Sequence, residues 1–201
     1  ARIERFLTLC ADDNLQVVYP TTARQYFHLL RRQMVRDVRK PLVVFTPKAP
    51  LRMKESRSPI GELTQGSFEE VLDDPGVDDP STVRRVVFCS GKVAWDAMSE
   101  RTKRSAPVAV VRVEQLYPFP GAQMRDVLSR YPSAREVVWL QEEPDNMGPW
   151  HFVEARFWNI KEDGYDLRLV SRIGSGSPAT GSKGIHDQER ADLMDETFAG
   201  L

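Results

Sequence analysis

The chain has 201 residues, 41% of them hydrophobic and 28% charged, with a formal net charge of -1 at pH 7. That length suffices for one good core or two small ones, and the balanced charge excludes a general pull toward nucleic acid or a membrane surface. No apolar run approaches the roughly 20 residues that span a bilayer, and the start Ala1-Arg2-Ile3-Glu4 lacks the apolar core of a signal peptide, so a soluble globular protein that is not addressed out of the cell is expected.

Ile3, Phe6, Leu7 and Cys10 recur at helical spacing, which predicts an amphipathic helix over the first dozen residues. No capping residue precedes it, as if the chain were cut at its start. Leu15 to Tyr19 reads as a strand, and Pro20-Thr21-Thr22 supplies a turn and an N-cap for a long helix over Ala23 to Arg39. At about 100° per residue, Ala23, Phe27, Leu30, Met34 and Val38 share one sector of that helix, while Arg32, Arg36, Arg39 and Lys40 lie opposite. The apolar sector is expected to pack and the cationic one to face outward, either as an ordinary solvated surface or as a phosphate site, since the arginine fork suits phosphate oxygens. His28 reads as a satisfied, partly buried histidine, because no cysteine, serine or carboxylate stands at a telling spacing from it.

Leu42 to Phe45 predicts a buried strand. Residues 49–82 then pass from basic (Arg52, Lys54, Arg57) to acidic (Glu69, Glu70, Asp73, Asp74, Asp78, Asp79), and read as an interdomain connection. Beyond it comes a strand and helix alternation: strand Val86 to Phe88, helix Val93 to Arg104, strand Val108 to Val113, helix Ala122 to Tyr131, strand Val137 to Leu140, an aromatic helix Trp150 to Asn159 and strand Leu167 to Val170. That order predicts a mostly parallel sheet with helices on its faces. A small-residue loop, Gly174 to Ser182, precedes a last helix capped near His186-Asp187 and running to Phe198.

The short motifs yield no self-contained catalytic set. Ser90-Gly91-Lys92 lacks the upstream glycine of a phosphate loop and reads as a tight strand-to-helix turn. The Gly174 to Gly184 loop, with Lys183 beside it, has the backbone freedom to wrap an anion but no phosphate fingerprint. Glu142 and Glu143 are neighbours on a strand and should point to opposite faces, which suits an interface or loop-orienting role better than an acid and base pair. The three histidines have no metal spacing, and Cys10 and Cys89 read as buried, reduced thiols.

One stretch carries more. Gln141-Glu142-Glu143-Pro144-Asp145-Asn146-Met147-Gly148-Pro149-Trp150 ends a covered strand, Val137 to Leu140, in a loop where an open α/β sheet places its sites. It closely resembles the C-terminal region of the thiamine-diphosphate-dependent first component of the 2-oxoglutarate dehydrogenase complex. Arg2 to Leu7, Tyr26 to Gln33, Pro41 to Arg52, Cys89 to Lys92, Val111 to Pro120 and Ser177-Pro178-Ala179 resemble the same family, in family order and across nearly the whole chain.

The resemblance implies an α/β chain in which residues 1–48 end a pyrimidine-binding domain, 49–82 link, and 83–201 form a transketolase-type C-terminal domain with a mostly parallel sheet. It implies an intact enzyme that decarboxylates 2-oxoglutarate with thiamine diphosphate and Mg and passes the succinyl unit to the lipoyl group of a succinyltransferase partner. Such an enzyme works as a homodimer, cytoplasmic in bacteria and in the mitochondrial matrix in eukaryotes. The family's cofactor-metal motif, activating glutamate and active-site histidines lie upstream of this chain, so no catalytic, cofactor or metal residue is assigned here and the chain alone is expected to be inactive. Arg32 and Lys40 stand where regulated members hold the phosphates of an acyl-CoA effector. Two alternatives stay open: a free-standing nucleotide- or acyl-CoA-binding module using Arg32, Arg36, Arg39 and Lys40, and the relative that acts on 2-oxoadipate.

Overall fold

A computed structural model describes residues 2–157 and 164–201. The short α1 (Ile3–Thr8) buries Ile3 and Leu7 and leads into β1 (Gln16–Val18), which pairs in parallel with β2 (Leu42–Val44). Between them lies α2 (Ala23–Val35), capped by the Thr22 side chain accepting from the Gln25 amide. The helix stops at Val35, four residues short of the expected Arg39: Pro41 disfavours helical backbone at Lys40, and Gln33 Nε2 donates to the Lys40 carbonyl at 2.7 Å instead.

Residues 49–82 hold a 3-10 turn at Ala49–Leu51, helix α3 (Ile60–Thr64), the two-residue strand β3 (Val71–Leu72) and a second 3-10 turn at Pro80–Thr82. The expected alternation follows: β4 (Arg85–Cys89), α4 (Val93–Arg104), β5 (Val108–Val113), α5 (Gly121–Ser129), β7 (Glu136–Pro144), α6 (Trp150–Arg156), β8 (Asp166–Arg172) and α7 (Lys183–Phe198). The last two positions of the expected aromatic helix, Trp158 and Asn159, lie outside the described residues. The last helix starts at Lys183, ahead of the expected cap at His186-Asp187. Two strands were not expected, β3 and β6 (Gln115–Tyr117), the latter split from β5 by Glu114.

The larger sheet runs β3-β5-β4-β7-β8, parallel from β5 to β8 with β3 antiparallel at its edge, which bears out the α/β class and the mostly parallel sheet. Strand alternation sorts its side chains between two cores. Val86, Phe88, Val111, Val137 and Trp139 face α1, α5 and α6, while Val87, Cys89, Val110, Val138 and Leu140 face α4 and α7. Both faces are covered, as a continuous apolar strand such as Val137 to Leu140 requires. The smaller sheet, β2-β1-β6, ties the two parts of the chain together, because β6 comes from beyond β5 and pairs antiparallel with β1.

Candidate functional site

The helix α2 is oriented opposite to its apolar pattern. Its buried face carries Gln25, His28 and Leu29, with Arg32 on the same side, whereas Phe27, Leu30 and Met34, and Val38 beyond its end, remain 44%, 46%, 68% and 65% exposed. The inward side is polar because polar groups meet it there. His28 Nε2 donates to the carbonyls of Glu62 and Gln65 at 2.8 and 3.1 Å, which fixes the proton on Nε2 and leaves buried Nδ1 without a partner among the described residues. Gln25 Nε2 donates to the Glu69 carbonyl at 2.6 Å.

Arg32 is the centre of this network. Its guanidinium donates to Glu70 at 2.9 Å, to Gln16 Oε1 at 3.0 Å and to Gln115 Oε1 at 2.6 Å, and it stacks 4.3 Å above the Phe68 ring. Burial, reinforced by the Arg36 charge and opposed by Glu70, pulls its pKa down to about 10. Arg36 donates to the same Gln16 Oε1 at 3.3 Å. Arg36 and Lys40 also line an open cleft of about 430 Å³ with Asp13, Gln16, Asp37 and Pro118. Of the four cations singled out in the sequence, Arg36 and Lys40 therefore share a cleft, Arg32 stands behind it through Gln16, and Arg39 lies exposed outside its lining. Sequence reasoning missed Gln16, Glu70 and Gln115, which hold the arginine. They lie 16, 38 and 83 positions from it, beyond any local spacing.

The second functional region is the loop after β7. Fully buried Gln141 organises it: Oε1 accepts from Trp139 Nε1 at 3.2 Å and from the Trp150 amide at 3.1 Å, while Nε2 donates to the Pro144 and Met147 carbonyls at 3.1 and 2.8 Å. One amide thus ties the strand, the turn and the start of α6 together. Gly148 sits at φ +73°, where a Cβ would press on Glu143 and Gln141, and its amide donates to Glu4 of α1 at 3.0 Å. Pro144, Gly148 and Pro149 set the backbone of this turn as their sequence suggests.

Glu142 and Glu143 contact different neighbours: Glu142 reaches Lys92 beside α4, while the Glu143 Cβ lies with Gln141 against Gly148. The β7–β8 register shifts between Leu140 and Pro144, and atoms of both glutamates border the cleft beyond the strand ends. Glu142 pairs with Lys92 at 2.6 Å. Ser90-Gly91-Lys92 is the expected tight turn, with Gly91 at φ +73° and the Tyr19 ring packed where its Cβ would lie. Both cysteines are free thiols, Cys89 buried and Cys10 partly so. Among the described residues no three His, Cys, Asp or Glu side chains converge as a metal ion would need.

The sequence matches the family described as 2-oxoglutarate dehydrogenase C-terminal over residues 57–198 and that described as Transketolase, pyrimidine binding domain over residues 1–54. It is 48% identical over its whole length to the 2-oxoglutarate dehydrogenase E1 component of Cupriavidus necator, covering 21% of that protein. It is 41% identical over 99% of its length to the protein of the same name from an Exiguobacterium species, covering 22% of it. It is also 43% identical over 98% of its length to the 2-oxoadipate dehydrogenase complex component E1 of Mus musculus, again covering 22%. The chain spans about a fifth of the length of the curated relatives it matches. Its order of elements and its sequence agree, and the chain belongs to the 2-oxoglutarate dehydrogenase C-terminal family, preceded by residues of a transketolase-type pyrimidine-binding domain.

Proposed function

We propose that this chain forms the C-terminal part of a thiamine-diphosphate-dependent 2-oxo acid dehydrogenase component that decarboxylates 2-oxoglutarate and passes the succinyl unit to a lipoyl group of its succinyltransferase partner. The observation that carries this reading is the match across the whole chain to a protein named for that activity. The exposed apolar stripe of α2 supports it, because such a surface calls for cover by further protein, either the remainder of the component or a second copy in a homodimer. Among the described residues no three His, Cys, Asp or Glu side chains converge as a metal ion would need, and no step of the decarboxylation is routed through them. Their part is to build walls, hold the junction between the two sheets and present the loop organised by Gln141.

The test is 2-oxoglutarate decarboxylation with thiamine diphosphate, magnesium and an artificial electron acceptor. The chain alone is expected to show no turnover, and a longer component containing it to be active, with 2-oxoglutarate preferred over 2-oxoadipate in kcat/KM. Turnover by the chain alone would overturn this reading; preference for 2-oxoadipate would move the assignment to the activity named in the mouse relative. The Arg36 and Lys40 cleft supports a second role, binding an acyl-CoA or nucleotide effector through its phosphates. Calorimetric titration with acetyl-CoA should show salt-sensitive binding that weakens about tenfold in Arg36→Ala, a loss of one charge-assisted contact.

A further inference from the structure

The parallel sheet has a second end, opposite the loop organised by Gln141. Where β4, β5 and β7 begin, an open cleft of about 840 Å³ is lined by Arg84, Arg135, Ser105, Ser133, Pro107 and Glu136 among others. The strand register sets its two arginines side by side. β4 and β7 pair Arg85 with Glu136, so Arg84 and Arg135 stand opposed one position earlier, and the Arg135 amide donates to the Arg84 carbonyl at 3.4 Å. The two cross-strand pairs are unlike. Arg85 Nε donates to Glu136 Oε2 at 2.8 Å, and its Nη1 goes on to the Thr197 carbonyl of α7 at 2.6 Å. Arg84 and Arg135, turned to the other face by strand alternation, bring two cations onto strands about 4.8 Å apart, which is unfavourable unless an anion lies between them.

No protein carboxylate takes that place. The Arg84 side chain makes no hydrogen bond or ion pair among the described residues, and Arg135 Nη1 donates only to the carbonyls of Pro132 and Ala134, at 3.2 and 3.0 Å. Glu136, the carboxylate in the wall, is already committed to Arg85. Two hydroxyls are uncommitted as well: Ser105, held at φ +49° as the C-cap of α4, and Ser133, before β7, have no side-chain partner among the described residues. Ser81 and Thr82, in the same wall, donate theirs to Asp79. The lining holds no aromatic ring, so it offers no platform on which a base would stack. Two guanidinium forks and two hydroxyls present more donors than one carboxylate accepts, whereas a phosphoryl group brings three acceptor oxygens and a charge near -2.

We propose that this cleft binds the dianionic phosphoryl group of a phosphate monoester, bridged between Arg84 and Arg135, with Ser105 and Ser133 donating to its oxygens. The planar guanidinium fork suits phosphate oxygens, and one dianion offsets both arginine charges at once. A small polar phosphate ester and a phosphorylated side chain share this chemistry. The site is separate from the Arg36 and Lys40 cleft at the end of α2 and does not depend on the enzymatic assignment.

The probe is glycerol phosphate, titrated into the full chain at an ionic strength held constant with potassium chloride, while the arginine Nε–H signals are followed by NMR. The Arg84 and Arg135 signals should shift together and saturably. Dimethyl phosphate, a monoanion with two terminal oxygens, should bind about tenfold more weakly or less. Arg84→Ala and Arg135→Ala should each weaken binding about tenfold, the loss of one charge-assisted contact, and the double variant should abolish it. Both side chains are exposed, so these variants keep the fold. Without ligand, either single variant should be at least as stable as the parent, because it removes the repulsion, and saturating probe should raise the unfolding temperature of the parent but not of the double variant. A phosphoserine peptide that binds more tightly than the probe would identify a phosphorylated side chain as the occupant, and equal binding a small ester. Unmoved Arg84 and Arg135 signals, equal binding of dimethyl phosphate, or saturable binding that survives in the folded double variant would overturn the assignment.

Discussion

The strand β7 and the helix α2 bury themselves by opposite rules. Between Val137 and Leu140, β7 sends apolar side chains to both faces of the sheet, and each face finds a helical layer. The helix turns its arginine and its amides inward, toward Glu70, Gln16 and Gln115, and leaves its apolar stripe outside. The strand belongs to a sheet closed on both sides within this chain; the helix belongs to a three-stranded sheet with open surroundings. Hydrophobic periodicity reports which residues share a face of a helix, and the neighbours decide which face is inside.

The largest effect should separate these regions directly. Trp139→Ala removes a fully buried side chain from the covered sheet and should cost about 3–5 kcal/mol, read as a fall in the urea midpoint. Met34→Ala on the exposed stripe should stay within about 0.5 kcal/mol in the monomeric chain. If self-association covers the stripe, Met34→Asp should abolish it in analytical ultracentrifugation without lowering the monomer's stability. A large loss of monomer stability in either Met34 variant would mean that the stripe is packed after all.

Gln141→Leu comes next. It keeps the approximate volume but strands Trp139 Nε1, the Trp150 amide and the Met147 carbonyl, at about 1–3 kcal/mol for each buried group that finds no new partner. Hydrogen exchange should show the loss concentrated in residues 142–150, with the β4–β5 ladder protected until global unfolding. Arg32→Lys is smaller. A single ammonium cannot reach Glu70, Gln16 and Gln115 together while stacking on Phe68, and the loss should be about 1–2 kcal/mol, concentrated at the β1–β6 junction.

The sheet was legible in the sequence because its strands are continuous apolar runs separated by amphipathic helices, a pattern that needs no distant information. The elements left unread are short and depend on partners. β3 has two residues and β6 three, and β6 changes sheet one residue after β5 ends. That switch is held by Glu114, which is fully buried and accepts from the Thr21 amide and hydroxyl 93 positions away. The candidate phosphate site was half legible: the cations could be counted along α2, but Glu70, which neutralises Arg32, arrives from residues 49–82 and leaves Arg36 and Lys40 as the accessible pair.

The smallest effect concerns pH and the half-buried Glu143 at the end of β7. An ordinary glutamate titrates near 4.5, and Glu143 in the folded chain near 7. Between these values the folded state holds a proton that the unfolded chain has released, so this group's contribution to stability is fully present below about 4.5 and is lost as pH rises through about 7. Glu100 and Glu189 act with the opposite sign and in acid, because hydrogen bonds from Arg104, and from Thr180 and then Arg172, hold them below the usual range and their contribution is lost as pH falls. The difference in stability between the parent chain and Glu143→Gln, measured from pH 5 to pH 8, cancels those terms and isolates Glu143. It should change in the parent's disfavour as pH rises from 5 to about 7, the glutamine variant gaining relative stability over that range and no further above it. A constant difference would place the Glu143 carboxyl in solvent.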